Sequence, residues 1–211
     1  MLKRIYYYST LWLEKRPWGV HLIYHSIRHY KVYEFMEALF VAFFFAMIIR
    51  AFFFQAFKIP SESMVPTLQI GDRLFVNKMI YHFYPPEIGD IVVFKTPPAI
   101  YEPRKPIYVK RLVGLGGDEV CIQPNGQLYV NGKLVAHPVI LSINYTRRVT
   151  DLTGRPKMYD CETVKENEVY LFGDNSGKSY DSRYWGGVPR ENIKGKAVLR
   201  WWPPGRFGLL E

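Results

Sequence analysis

Residues 35–57 constrain this chain more than any other stretch. They read Phe-Met-Glu-Ala-Leu-Phe-Val-Ala-Phe-Phe-Phe-Ala-Met-Ile-Ile-Arg-Ala-Phe-Phe-Phe-Gln-Ala-Phe, twenty-three residues with only two charges. As a helix the run is about 34 Å long, enough to cross a hydrocarbon layer of about 30 Å with some tilt. Its uncharged centre, Ala38 to Ile49, is twelve residues, a length that also fits a buried helix. Two features favour the membrane. Glu37 and Arg50 sit toward the two ends, where a long arginine side chain reaches the headgroups. The run is apolar all round, so no face is left to show water. It starts too late, runs too long and lacks a small-x-small exit for a cleaved leader. The expectation is one retained N-terminal transmembrane helix over 35–57.

The preceding arm, 1–34, carries six basic residues (Lys3, Arg4, Lys15, Arg16, Arg28, Lys31) against Glu14 and Glu34. From Val20 to Val32 its apolar residues recur at helical spacing. His21, His25 and His29 line the other side at i, i+4 steps. Three stacked imidazoles are metal-ligand types. No carboxylate or thiol completes a set, so the reading is a basic face lying on a membrane surface, without metal. Basic residues next to the run are balanced: Arg28 and Lys31 before it, Lys58 and Arg73 after. The short arm counts in full and a long domain counts little, which puts the N-terminus in the cytoplasm and 58–211 outside.

From residue 71 the pattern is β. Strand-like runs cover Arg73–Lys78, Asp90–Lys95, Ile107–Val113, Val120–Gln123, Gln127–Val130, Lys133–Val135, Glu168–Phe172 and Lys196–Trp202. Asn131-Gly132 between two of them is a strong hairpin signal. No long helical pattern interrupts, so a mainly β, antiparallel, barrel-like domain is expected over 58–211. An inserted ribbon at about 121–167 interrupts it, most irregular from 136 on. Cys121 and Cys161 form neither C-x-x-C nor a zinc set. Buried free thiols are the simplest expectation, and an extracytoplasmic domain would permit a disulfide.

Three segments carry candidate chemistry. In Ile59-Pro60-Ser61-Glu62-Ser63-Met64-Val65-Pro66-Thr67-Leu68 two prolines bracket two serines, forcing an irregular loop that presents Ser63. Two hydroxyls so close can serve one carbonyl, one attacking and one donating to the oxyanion. In Tyr108-Val109-Lys110-Arg111-Leu112-Val113-Gly114, period 2 sets Tyr108, Lys110 and Leu112 on one face. A lysine between an aromatic and an aliphatic neighbour is desolvated, which lowers its pKa as a lysine base requires. In Gly173-Asp174-Asn175-Ser176-Gly177-Lys178-Ser179-Tyr180-Asp181-Ser182-Arg183, Ser179 can bond a buried amine and Asp181 can pair with Arg183. Each segment alone also reads as ordinary structure: a loop, an edge-strand lysine, a turn.

In this order the three segments resemble the bacterial type I signal peptidases, membrane-anchored Ser–Lys endopeptidases. The resemblance covers most of 48–203. It includes Arg50 at the exit of the apolar run, Gly71-Asp72, Gly89-Asp90, Lys110-Arg111 with Gly117-Asp118, and Gly173-Asp174-Asn175. It implies Ser63 as nucleophile and Lys110 as general base. Ser61 and the Ser63 N–H would form the oxyanion hole. Ser179, Asp181, Arg183 and Tyr108 would support the site. The implied substrates are signal peptides of secreted preproteins, cut after small-x-small motifs at the outer face of the cell membrane. No cofactor is implied. Glu62, Gly116 and Ser176 stand where the family usually has glycine, proline and arginine.

Two rival readings stand beside this one. A self-cleaving repressor would share the dyad but not the anchor. A non-catalytic, basic, membrane-anchored binding module would explain the net charge of +9 but not the three segments together. Nucleic acid is not expected as a partner, because the basic residues are dispersed and no reading motif is present.

Overall fold

A computed structural model describes residues 32–52, 54–96, 107–145 and 160–210. The arm at 1–31, with His21, His25 and His29, lies outside them, as do 97–106 and 146–159. The chain forms two compact units, Met1–Arg50 and Ala51–Glu211.

Helix α1 runs from Val32 to Phe52, 21 residues, with Glu34 in its first turn where the helix dipole favours an acid. Its described side chains, Glu34 to Met47, are all exposed, Phe35, Phe40 and Phe43 among them. Among the described residues no helix is long and apolar enough to cross a membrane.

The helix is shorter than the apolar run. Phe54–Lys58 is a strand, β1, where the sequence suggested continued helix. It pairs antiparallel with β2, Arg73–Asn77, placing Ala56 opposite Phe75 and Phe57 opposite Leu74. Phe57 packs against Ile59, Met64 and Leu74. Apolarity alone does not separate helix from strand. Here the aromatic residues gain a ladder and a core by extending.

The other strands are β3 (Ile91–Lys95), β4 (Ile107–Gly114), β5 (Glu119–Ile122), β6 (Leu128–Val130), β7 (Lys133–Leu134), β8 (Asp160–Thr163), β9 (Glu168–Phe172), β10 (Val188–Pro189), β11 (Ile193–Trp202) and β12 (Gly208–Leu209). The larger sheet has the order β1-β2-β11-β3-β4-β9-β10, with β12 also on β11. Every pairing is antiparallel. Register shifts along β11, after Ile193, Ala197 and Arg200, are of the kind that bends and twists a long strand. The protein is thus mainly β, on an antiparallel, curled sheet.

A second sheet, β7-β6-β5-β8, is built from the middle of the chain. Its β6–β7 turn is the Asn131-Gly132 pair, both with positive φ (51° and 73°), the geometry that selects these two residues. Register sets Cys121 on β5 opposite Cys161 on β8, and the two form a disulfide. Free thiols are therefore not what this chain has. Strand pairing brings their Cα atoms to 4.1 Å, a proximity that sequence spacing does not reveal.

Strand β4 joins three apolar clusters. Val113 packs with Val120, Leu128 and Tyr145. Val109 packs on Met64, Leu74 and Val93. Leu112 and Tyr108 pack with Val92, Phe94 and Leu171. Lys110 lies between Tyr108 and Leu112, opposite Val92.

Candidate active site

The loop after β1 is anchored from below. Ile59, Met64 and Leu68 are buried, while Pro60, Ser61 and Glu62 are exposed and Ser63 is half-buried. The Ile59 N–H donates to the Asp72 carbonyl and the Gly71 N–H to that of Ile59, both at 2.9 Å, which closes the loop at its base. Met64 and Leu68 plug into the core on either side of Pro66, so Ser63 points away from a fixed floor. Ser61 Oγ stands 3.5 Å from Ser63 Oγ, long for a hydroxyl hydrogen bond.

Lys110 is 1% exposed. Burial pulls its amine down from 10.5 to about 8; Asp181 and Asp174 oppose the shift and Arg183 reinforces it. Its Nζ lies 5.9 Å from the centre of the Tyr108 ring. That ring is held between Phe94, at 6.2 Å, and Trp185, at 6.3 Å. The sequence expectation of a desolvated lysine beside an aromatic ring matches this environment.

Gly173 is where the pieces meet. Arg111 pairs with Phe172 across β4 and β9, so the end of β9 runs beside Lys110. A Cβ on Gly173 would sit 2.2 Å from Ser179 Oγ and 2.4 Å from the Ser63 carbonyl oxygen. Only glycine lets the Ser63 loop, the Ser179 turn and β9 approach so closely. Ser179 Oγ is buried and has no hydrogen-bond partner among the described residues.

Asp181 is fully buried. It accepts from the Gly173 N–H at 2.9 Å and from Arg183 Nε and Nη2, both at 2.8 Å. It also caps the short helix Ser182–Trp185. Arg183 turns back to donate to Ser176 Oγ and the Ser176 carbonyl, at 2.7 and 2.9 Å. Ser176, a departure from the family pattern, is thus part of the bracing. The expected Asp181–Arg183 pair is present as an internal buttress of the turn.

Sequence reasoning gave no role to Arg111 and Asp174, the strongest ionic contact in the region. Arg111 is fully buried and grips Asp174 with two nitrogens, at 2.9 and 2.8 Å, while a third reaches the Gly89 carbonyl at 2.6 Å. Thr67 Oγ1 donates to the same Asp174 at 2.5 Å. The Ser63 loop, β4 and the turn after β9 are therefore tied by one carboxylate. A usable signal was the arginine inside an otherwise apolar strand, since a charge placed there needs a partner.

Beside Ser63 lies a groove of about 330 Å³, lined by Phe57 from β1, Ile59 and Met64 from the loop after it, and Ile107, Tyr108 and Val109 from β4. Most of its lining is apolar. Glu119, Cys121 and Cys161 are the one group of metal-ligand types found close together among the described residues. Their sulfurs are committed to the disulfide.

Comparison with known proteins identifies the family of the chain. The family model for "Signal peptidase, peptidase S26" matches residues 32–202. A signal peptidase I of Leptolyngbya laminosa is 41% identical over 168 residues, 78% of this chain and 77% of that protein. A probable signal peptidase I-2 of Synechocystis is 43% identical over 168 residues, 78% of this chain and 71% of that one. A solved signal peptidase I from Enterococcus faecalis is 28% identical and covers 55% of this chain and 98% of its own, with a TM-score of 0.40. The chain belongs to the S26 peptidase family and is a serine endopeptidase. Its reaction is the removal of signal peptides. The reading as a non-catalytic binding module falls with that.

Proposed function

We propose that Ser63 is the nucleophile and neutral Lys110 the general base of a membrane-anchored signal peptidase. The observation that carries this reading is the burial of the Lys110 amine among apolar side chains, next to the strand end that touches Ser63. Lys110 Nζ takes the Ser63 proton as Oγ attacks the scissile carbonyl. The ammonium so formed returns a proton to the leaving amine. Lys110 then takes a proton from the water that attacks the Ser63 ester and gives it to Ser63 Oγ as the acyl group leaves as the carboxylic acid. The Ser61 hydroxyl and the Ser63 N–H hold the oxyanion; donors of this kind are worth about 10²–10³ in kcat. Ser179 Oγ, buried and without a hydrogen-bond partner among the described residues, is the hydroxyl left over to orient the amine, Asp181 and Arg183 brace that turn, and the Tyr108 ring keeps water off. The apolar groove beside Ser63 takes the residues before the scissile bond.

The anchor is the second part of the proposal. Residues 35–52, continuous with α1, span the inner cell membrane once, with 1–34 in the cytoplasm and 58–211 outside. Supporting this are the all-round apolar sequence, the exposed aromatic residues of α1 and a disulfide, which persists in oxidising compartments. Ser63 follows the last residue of α1 by eleven positions. Trp201 stacks on Phe75 at 5.6 Å and is half-buried, while Trp202 is exposed. Trp202, with Trp201 and Pro203-Pro204, makes the lipid-facing lip. Nucleic acid has no part in this reading.

Cleavage of a preprotein by the membrane-inserted enzyme tests the dyad. Ser63→Ala and Lys110→Met are expected to abolish it while both variants still insert. Full activity in Lys110→Met would remove the dyad.

A further inference from the structure

We infer that Glu62 and Lys178 are positioning residues: their ion pair, with Asn175 between them, clips the nucleophile loop onto the turn that follows β9. The inference rests on Ser63 being the nucleophile.

The apolar anchors of the loop, Ile59, Met64 and Leu68, lie before and after Pro60–Ser63. Pro60, Ser61 and Glu62 are themselves exposed, so core packing does not fix them. Three bonds reach across from the turn instead. The Asn175 N–H donates to the Ser63 carbonyl at 3.0 Å. Asn175 Nδ2 donates to the Glu62 carbonyl at 3.1 Å. Lys178 Nζ donates to Glu62 Oε2 at 2.7 Å.

The far side of the clip is rigid. The Lys178 N–H donates to the Asn175 carbonyl at 3.0 Å. Arg183 holds Ser176 by its hydroxyl and carbonyl, and Asp181 holds Arg183 and Gly173. The same turn carries Ser179. The clip therefore sets the distance from Ser63 to the turn that carries Ser179. The carboxylate at residue 62, inserted between the two serines, is also paired with a cation within the clip.

An exposed ion pair adds little to stability. A displacement of about 1 Å in a reacting group can cost as much as ~10²-fold in rate. The signature of a clip is therefore a fall in kcat with little change in melting temperature or KM.

The test measures kcat and KM for preprotein cleavage by the full-length enzyme in vesicles. The variants are Glu62→Ala, Lys178→Ala, their combination and the exchanged pair Glu62→Lys with Lys178→Glu, with Ser63→Ala in parallel. Each single change is expected to lower kcat about three- to tenfold with KM within about twofold. The combination should be no worse than either single, and the exchanged pair should recover to within about twofold of the parent. Unchanged kcat in the singles would overturn the inference. So would multiplying losses without recovery in the exchanged pair, or a change in KM alone, which would make Glu62 a substrate contact. If Ser63→Ala still cleaves, the underlying assignment of the nucleophile fails. If it is dead while the pair variants behave as the parent, only the clip fails.

Discussion

Replacing Lys110 with methionine should stabilise the protein while removing its activity, and the gain should depend on pH in a defined way. The amine falls from 10.5 to about 8 on folding, chiefly through burial. Between those values the unfolded chain binds more protons than the folded one, so wild-type stability rises with pH across that window. Below about 8 the folded protein carries the whole penalty of a buried ammonium; above 10.5 it carries none. At about 1.4 kcal/mol per pH unit the penalty is about 3 kcal/mol. Methionine has a similar length and no charge, so the variant lacks this term, and every other titration is shared. Urea unfolding of both full-length proteins in mild detergent, followed by tryptophan fluorescence, reads the difference. The advantage of Lys110→Met at pH 7 should shrink by about 2–3 kcal/mol by pH 10. A difference that stays constant between those pH values would refute the claim that Lys110 is buried and loses its charge.

Two further outcomes follow from the contacts. Gly173→Ala would force a methyl to 2.4 Å from the Ser63 carbonyl and 2.2 Å from Ser179 Oγ. Activity should fall at least about 100-fold, with about 1–3 kcal/mol lost in stability and an unchanged circular dichroism spectrum; near-normal cleavage would separate Gly173 from the site. Asp174→Ala strips the buried Arg111 of its carboxylate and should cost about 3–5 kcal/mol, read as a lower urea midpoint with unchanged slope. A loss below about 1 kcal/mol would mean that Arg111 finds another partner.

Much of the β domain was legible in the sequence because its signals are local. Asn131-Gly132 fixes its own turn, and the strand runs around it follow from alternation. The burial of Lys110 was legible for the same reason: Tyr108 and Leu112 flank it on one strand face, and period 2 needs no partner to be known. The end of α1 was not legible. Phe54 and Phe57 are as apolar as the helix before them, and only pairing with Arg73–Asn77 makes them strand. The disulfide and the Arg111–Asp174 pair depend on registers between distant strands, which composition and spacing do not encode. Within the site, Ser63, Lys110 and Ser179 could be nominated from residue type and resemblance. The contacts that tie the Ser63 loop to the Ser179 turn run through Gly173, Asn175 and Asp181, whose sequence context reads only as a turn. In the sequence Glu62 shows only as a departure from the family's usual glycine. Its pairing with Lys178, 116 residues away, is visible only in three dimensions.

The most direct measurement is kcat/KM for a preprotein across pH 6 to 9, which reports ionisations of the free enzyme. If the neutral amine of Lys110 activates Ser63, the rate should climb about tenfold per pH unit up to about 8 and level off above it. A profile that is flat across the range would contradict the account.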